Sequence, residues 1–263
     1  MRSILEMNLQ NGVALVTGAG TGIGRGIAEA FARQGLKVAV NYSRSRDAAE
    51  EVVRGIQAAG GTALAIGASV SDDEAVRAMM DEIAREFGRL DILVNNAGWS
   101  TRIPHDRLED LTDEVWNRTF DTNLRGAFYC VRAAVPLLRK QEGAAIVNIA
   151  SVAGMTGLGS SMAYAASKGA MITLTKSLAR ALAPQIRVNA IAPGFVRTRF
   201  ADWPSSAFDE GEAMTPLKRL ATVEEIGALA WHLAVEAKSI TGETIAVDGG
   251  VAELGAIRLN VSR

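Results

Sequence analysis

The pair of side chains best suited to moving a proton is Tyr164 and Lys168, four residues apart in Tyr164-Ala165-Ala166-Ser167-Lys168. If this segment is helical, the two share a face and act on one small volume. A phenol titrates near ~10 in water, and a neighbouring ammonium favours its ionised form, each tenfold change in the ionisation equilibrium being worth roughly 1.4 kcal/mol. Such a tyrosine can exchange a proton near neutral pH. Ser151 supplies a hydroxyl upstream, in Ser151-Val152-Ala153-Gly154. The same spacing also fits an aromatic ring packed beneath an exposed charge, so the pair alone does not decide function.

A second constellation lies near the amino end. Gly18, Gly20, Gly22 and Gly24 follow the apolar run Val13-Ala14-Leu15-Val16-Thr17 and open a helical pattern through Ile23, Ile27 and Phe31. Backbone N–H groups at such a helix start can hold a pyrophosphate, and glycine lets the main chain come close. The spacing fits G-x-G-x-x-G in no register, but it fits T-G-x-x-x-G-x-G through Thr17, Gly18, Gly22 and Gly24.

These residues need a scaffold, and the apolar periodicity describes one. Short runs without alternation predict strands buried on both faces at 13–17, 37–42, 63–68, 90–95, 144–150, 187–192 and 243–248. Amphipathic stretches between them predict helices from Ile23 to near Gln34 and at 48–59, 72–87, 113–138, 161–183 and 223–236. Regular alternation implies parallel strands with right-handed crossovers. The expectation is a single α/β, doubly wound Rossmann-type domain over residues 1–263, with a seven-stranded, mostly parallel sheet and helices on both faces. The least regular part, 198–214, contains Trp203, Pro204, Phe208 and Gly211 and follows a strand's carboxyl end. That is where a substrate lid belongs, at 199–216, with an ordinary surface loop as the other reading.

Composition narrows the function. Lys plus Arg (28) nearly balances Asp plus Glu (29), so the net charge of −1 offers no footprint for nucleic acid or an anionic membrane. Cys130 is the only cysteine, which rules out an internal disulfide, and two histidines make no metal cluster. The first seven residues carry an acid and lack the apolar core of a signal peptide, and no run is long enough to cross a bilayer. A reducing cytoplasm is the expected location.

Taken in order, the motifs resemble the short-chain dehydrogenase/reductases along nearly the whole chain. The match runs through the glycine turn, Asn95-Asn96-Ala97-Gly98, Asn123, the Ser151/Tyr164/Lys168 set and Pro193-Gly194-Phe195-Val196-Arg197-Thr198. It ends with Ile240-Thr241-Gly242-Glu243 and Val247-Asp248-Gly249-Gly250. The resemblance implies hydride transfer between a nicotinamide and a carbonyl or secondary alcohol. Tyr164 would donate or accept the proton, Lys168 would lower its pKa and hydrogen-bond the nicotinamide ribose, and Ser151 would orient the carbonyl. Asn123 would hold a water in a proton relay.

By the same resemblance Gly18, Thr21, Gly22, Ile23 and Gly24 hold the pyrophosphate. Asn95, Ala97 and Gly98 shape the cofactor floor while Asn96 packs, and Pro193, Gly194, Val196 and Thr198 grip the carboxamide. Ser69 and Val70 flank the adenine, although relatives often carry an aspartate at Ser69. At the end of the second strand Tyr42, Ser43 and Arg44 present no acid to repel a 2′-phosphate, and an arginine can pair with one. NADP(H) is therefore favoured, with NAD(H) as the alternative. The motifs are most like those of 3-oxoacyl-thioester reductases. A short 199–216 segment and a tail running to Arg263 argue against an acyl-carrier substrate. A sugar, polyol or secondary-alcohol dehydrogenase and a non-catalytic dinucleotide-binding protein are the alternatives, and a homotetramer built on 113–138, 161–183 and the last strand is expected. His105 reads as an exposed loop histidine, His232 as structural, Cys130 as a small buried residue, and Trp99 and Met155 as candidate pocket walls.

Overall fold

Among the residues described by the computed structural model, 11–198, 200 and 203–255, seven strands form one sheet. They are β1 (Val13–Val16), β2 (Lys37–Tyr42), β3 (Ala63–Gly67), β4 (Ile92–Asn95), β5 (Ala145–Ile149), β6 (Arg187–Pro193) and β7 (Thr244–Val247). Their order is β3-β2-β1-β4-β5-β6-β7, and every neighbouring pair is parallel, where a mostly parallel sheet was expected. β1, β4, β5 and β6 are buried at every position, which is why their sequences do not alternate. The chain runs outward from β1 to β3, then returns to place β4 on β1's other side. That reversal opens a crevice beyond the carboxyl ends of β1 and β4.

Helices cover both faces. One core packs α1 (Gly22–Arg33), α2 (Arg46–Ala58) and α9 (Val223–Trp231) on the sheet through Ile27, Phe31, Val52 and Ile226. The opposite core uses α3 (Asp73–Phe87), α5 (Gly126–Leu138) and α7 (Met162–Leu182) through Met79, Ile83, Val131 and Leu178. Local chemistry sets the helix ends. The Asp72 carboxylate accepts from the N–H groups of Glu74 and Ala75, and α3 stops at Gly88 with φ +75°. Ser161 caps α7 by accepting from Tyr164 N at 3.2 Å, so the cap also fixes where the tyrosine enters the helix.

Three segments differ from the sequence reading, one being the expected helix at 223–236, where α9 ends at Trp231 and a π turn covers His232–Glu236. The expected single helix at 113–138 is α4 (Asp113–Phe120), a π turn at Asp121–Arg125, and then α5. The widened turn carries Asn123. Apolar periodicity does not register one extra residue per turn, so the break left no mark on the pattern. The stretch expected to be irregular contains α8 (Ser205–Met214), whose Phe208 and Gly211 are buried against Phe195. Two buried positions are too few for a periodicity signal, and only Pro204 before the helix hints at it. Of the expected lid at 199–216, Arg199, Ala201 and Asp202 lie outside the described residues. Short helices α6 (Ala153–Thr156) and α10 (Val251–Leu254) complete the set.

Candidate active site

The crevice is a cavity of about 900 Å³ that runs from the glycine turn to Tyr164. Its walls come from the loops after β1 to β6 together with the first turns of α7 and part of α8. Sites formed at strand ends in this way can draw side chains from distant sequence positions, which explains why the motifs are scattered along the chain.

At one end Ser151, Tyr164 and Lys168 converge. The Ser151 hydroxyl accepts from Ala153 N at 3.1 Å and points its own O–H at the Pro193 carbonyl at 3.4 Å, which holds its rotamer, and it lies close enough to the Tyr164 phenol to lower its pKa. Lys168 is buried, with 4% exposure, and donates from Nζ to the Ile149 carbonyl at the end of β5, at 2.7 Å. Its ammonium sits 5.7 Å from the centre of the Tyr164 ring. The electrostatics differ from the sequence expectation that lysine lowers the tyrosine pKa. Burial pushes the phenol up to about 12, against a smaller lowering by Ser151, and it pushes Lys168 down to about 8. Both effects have one cause: low-dielectric surroundings disfavour whichever form carries charge, and the ammonium is committed to a carbonyl rather than to the phenol.

The glycine turn faces the other end. Gly18 and Gly22 have φ of +61° and +55°, and a Cβ on Gly24 would fall 2.6 Å from the Gly18 carbonyl oxygen, so the turn has no room for side chains. Thr21 precedes α1 without a side-chain cap, leaving the helix's first N–H groups open to the cavity. Three cations, Arg44, Arg118 and Lys168, line the cavity, and among the described residues no carboxylate does. A cradle of N–H groups in a positively lined cleft fits the phosphates of a dinucleotide.

Most of the expected contact residues reach this cavity: Gly18, Thr21, Gly22, Ile23, Gly24, Ser43, Arg44, Ser69, Val70, Ala97, Gly98, Pro193, Gly194, Val196 and Thr198 all line it. Tyr42, Asn95 and Asn123 do not. Successive strand residues face opposite ways, so Asn41 rather than Tyr42 turns toward the glycine loop, accepting from Gly18 N at 3.2 Å. Tyr42 instead lies across Gly67 of β3. Asn95 is buried in the sheet, donating to Asn148 Oδ1 at 2.9 Å, and it is Asn96 that braces the floor by donating to the carbonyls of Thr17 and Gly18. Thr17 completes that brace, accepting through Oγ1 from the N–H groups of Asn96 and Ala97.

The Asn123 side chain makes three hydrogen bonds within the protein. It accepts from Trp99 N at 2.7 Å and donates to Trp99 O and Ser167 Oγ, both at 3.0 Å. It thereby pins the loop after β4 beside Lys168. Trp99, so anchored, stacks its ring against the Arg118 guanidinium at 4.3 Å. The end of the cavity beyond Tyr164 is walled by Phe200, Trp203 and Phe208, which fall in the stretch expected as a lid, and by Ser100, Leu158 and Ser160, which no motif marks.

Comparison with known proteins agrees with this geometry. The family model described as enoyl-(acyl carrier protein) reductase matches residues 18–252. A 3-oxoacyl-(acyl-carrier-protein) reductase FabG of Staphylococcus aureus is 44% identical over 243 residues, which is 90% of this chain and 97% of the relative. A 3-oxoacyl-(acyl-carrier-protein) reductase of Synechocystis is 41% identical over 91% of this chain and 96% of the relative. A crystal structure described as a short-chain dehydrogenase/reductase from Burkholderia xenovorans superposes with a TM-score of 0.85 at 41% identity, covering 90% of this chain and 96% of that one. Similarity of this extent, on a parallel sheet whose strand ends gather the serine, tyrosine and lysine beside a glycine cradle, makes the chain a member of the short-chain dehydrogenase/reductase family, an oxidoreductase that acts on CH–OH/C=O groups with a nicotinamide dinucleotide.

Proposed function

We propose that this protein reduces 3-oxoacyl thioesters with NADPH. The observation that carries the reading is a single cavity with two chemically distinct ends: a carboxylate-free, arginine-bearing end beside the glycine turn, and the Ser151–Tyr164–Lys168 set at the other. The relatives named as 3-oxoacyl-(acyl-carrier-protein) reductases support the substrate class. The dinucleotide would be held by the N–H groups that open α1, with Ser69 and Val70 beside the adenine and Pro193, Gly194, Val196 and Thr198 beside the nicotinamide. When bound it supplies the hydride. Ser151 then orients the carbonyl oxygen, and Tyr164, kept protonated by its burial, gives that oxygen a proton as negative charge develops on it. Lys168 stands ready to restore the proton, and Asn123 holds the loop that borders it.

The direct test assays an acetoacetyl thioester, a simple ketone and a crotonyl thioester with NADPH and with NADH, and a polyol with NADP+ and with NAD+. Turnover fastest on acetoacetyl thioester with NADPH is expected. Preference for the polyol would favour the sugar or polyol dehydrogenase reading, preference for the crotonyl thioester an enoyl reductase, and no turnover of any substrate a binding protein.

Cofactor choice turns on Arg44, which has no carboxylate partner among the described residues and lines the adenosine end with Ser43 and Ser45. Arg44→Ala removes a charge-assisted contact of about 1.5–3 kcal/mol, so the KM for NADPH is expected to rise roughly 10-fold or more while that for NADH stays nearly constant. Equal effects on the two would show that Arg44 does not read the phosphate.

A homotetramer is part of this reading. An apolar groove between α4, α5 and α7, lined by Phe120, Leu124, Phe128 and Leu174, leaves Phe128 40% exposed on helices suited to pairing with a second copy. Light scattering at micromolar concentration should give about four times the chain mass, and a stable monomer would reject it.

A further inference from the structure

The Ser100–Ser160 hydroxyl pair lies on the substrate wall of the cavity and is used by none of the steps above. Ser100 follows the loop that Asn123 pins, and Ser160 sits four residues before Tyr164; both line the cavity. Their Oγ atoms are 2.5 Å apart, and Ser160 is 4% exposed. Gly159, next to it, packs on the Tyr164 ring, where an added Cβ would sit 3.4 Å from Cδ1. The pair therefore lies next to the turn that packs on the Tyr164 ring.

Counting donors shows why the pair is more than a loop tie. Two hydroxyls carry two O–H groups, and their mutual bond uses one. If Ser100 donates, the O–H of Ser160 has no protein acceptor among the described residues. If Ser160 donates, the O–H of Ser100 has only the Thr101 carbonyl at 3.4 Å, beyond the usual ~2.5–3.0 Å of an O–H···O bond. Either way one donor is left over, facing the cavity. Joining the loops does not need it, because Ile103 N already donates to the Ser160 carbonyl at 2.8 Å. A hydroxyl donor in this position can hydrogen-bond a carbonyl oxygen of a bound molecule.

We propose that the Ser100–Ser160 pair hydrogen-bonds a second carbonyl of the substrate, two carbons from the one being reduced, and so selects 1,3-dicarbonyl compounds over isolated ketones. This rests on the ketoreductase reading of the same cavity. Ser151 and Tyr164 hold the reacting oxygen, and the neighbouring serine pair takes the thioester oxygen of a 3-oxoacyl chain. The selectivity is then a property of this wall, separate from the lid and from the dinucleotide end.

The test compares kcat/KM for an acetoacetyl thioester and for a simple ketone of similar length in wild type, Ser100→Ala, Ser160→Ala and the hydroxyl-retaining Ser100→Thr, with melting temperatures as a check on folding. Each alanine variant is expected to lose roughly 10-fold on the dicarbonyl, mostly in KM, and little on the simple ketone, while Ser100→Thr keeps the wild-type ratio. Equal losses on both substrates would mean that the pair only shapes the wall, and unchanged values on both would mean that it is not used; either overturns the inference. Wild type that turns over the ketone but not the dicarbonyl would overturn it together with the substrate class, whereas wild type that prefers the dicarbonyl with variants that keep that preference defeats the serine assignment alone.

Discussion

Tyr164→Phe is expected to lower kcat for carbonyl reduction by about 10³-fold, within the range for removing a positioned general acid, while NADPH still binds with nearly wild-type affinity. The substitution removes one oxygen from a ring that is already held by Ser161 capping its backbone, by Gly159 against its edge and by Phe200 at 5.6 Å between ring centres. The cavity keeps its shape, and the loss reports proton transfer rather than packing. A pH profile of wild type adds a second readout. With the phenol pushed up to about 12 by burial, Tyr164 is protonated across the neutral range, so reduction should be flat below roughly pH 7 and decline above it only as Lys168, pushed down to about 8, loses its proton. Oxidation of the alcohol needs the phenolate, whose fraction grows with pH, so that direction should accelerate as pH rises. Steady-state kinetics in both directions and fluorescence titration of NADPH check these expectations. Turnover within a few-fold of wild type in Tyr164→Phe would remove the tyrosine from the mechanism, and an oxidation rate that falls with pH would contradict its role as base.

How much of this is legible in the sequence can be judged residue by residue. The strands are visible because full burial on two faces produces unbroken apolar runs, and the Ser151, Tyr164 and Lys168 cluster is visible because its spacing is chemical. What fails is resolution below one residue or across empty sequence. The motif points to Tyr42 where the fold uses Asn41, because register within a strand sets which neighbour faces the turn, and a strand buried on both sides carries no alternation from which to read that register. It points to Asn95 where the fold uses Asn96 for the same reason at the end of β4. Asn123 stands out in the sequence as a residue of consequence, yet its side chain is a clamp on Trp99, which depends on a π turn that no periodicity records. Ser100 and Ser160 have no local signal at all. They meet across sixty positions only because the ends of β4 and β5 lie side by side in the sheet.

Gly154→Ala tests the closest main-chain approach between α6 and α7, one of the contacts that locate α7 against the rest of the site. A Cβ at Gly154 would fall 2.5 Å from both Gly169 N and the Lys168 carbonyl carbon, and 2.8 Å from the Lys168 carbonyl oxygen. All three are main-chain atoms inside a helix, so no rotamer change can relieve the clash, and α6 and α7 must separate. Overpacking of this kind costs about 1–3 kcal/mol. The functional loss should be larger than the stability loss suggests, because the peptide pushed aside belongs to Lys168, whose Nζ reaches the Ile149 carbonyl, and to the turn that carries Tyr164 against Ser151. A displacement near 1 Å in a reacting geometry can cost on the order of 10²-fold, and a kcat loss of that size is expected here with KM for the dinucleotide much less affected. Gly55→Ala is the control: it lies exposed in α2, a Cβ there meets nothing within 4 Å, and the helix should gain roughly 0.5–1 kcal/mol with unchanged turnover. Thermal melts and steady-state kinetics on both variants separate the cases. If Gly154→Ala keeps wild-type kcat, then α6 yields to the methyl group and the close approach of the two helices is not what positions the lysine.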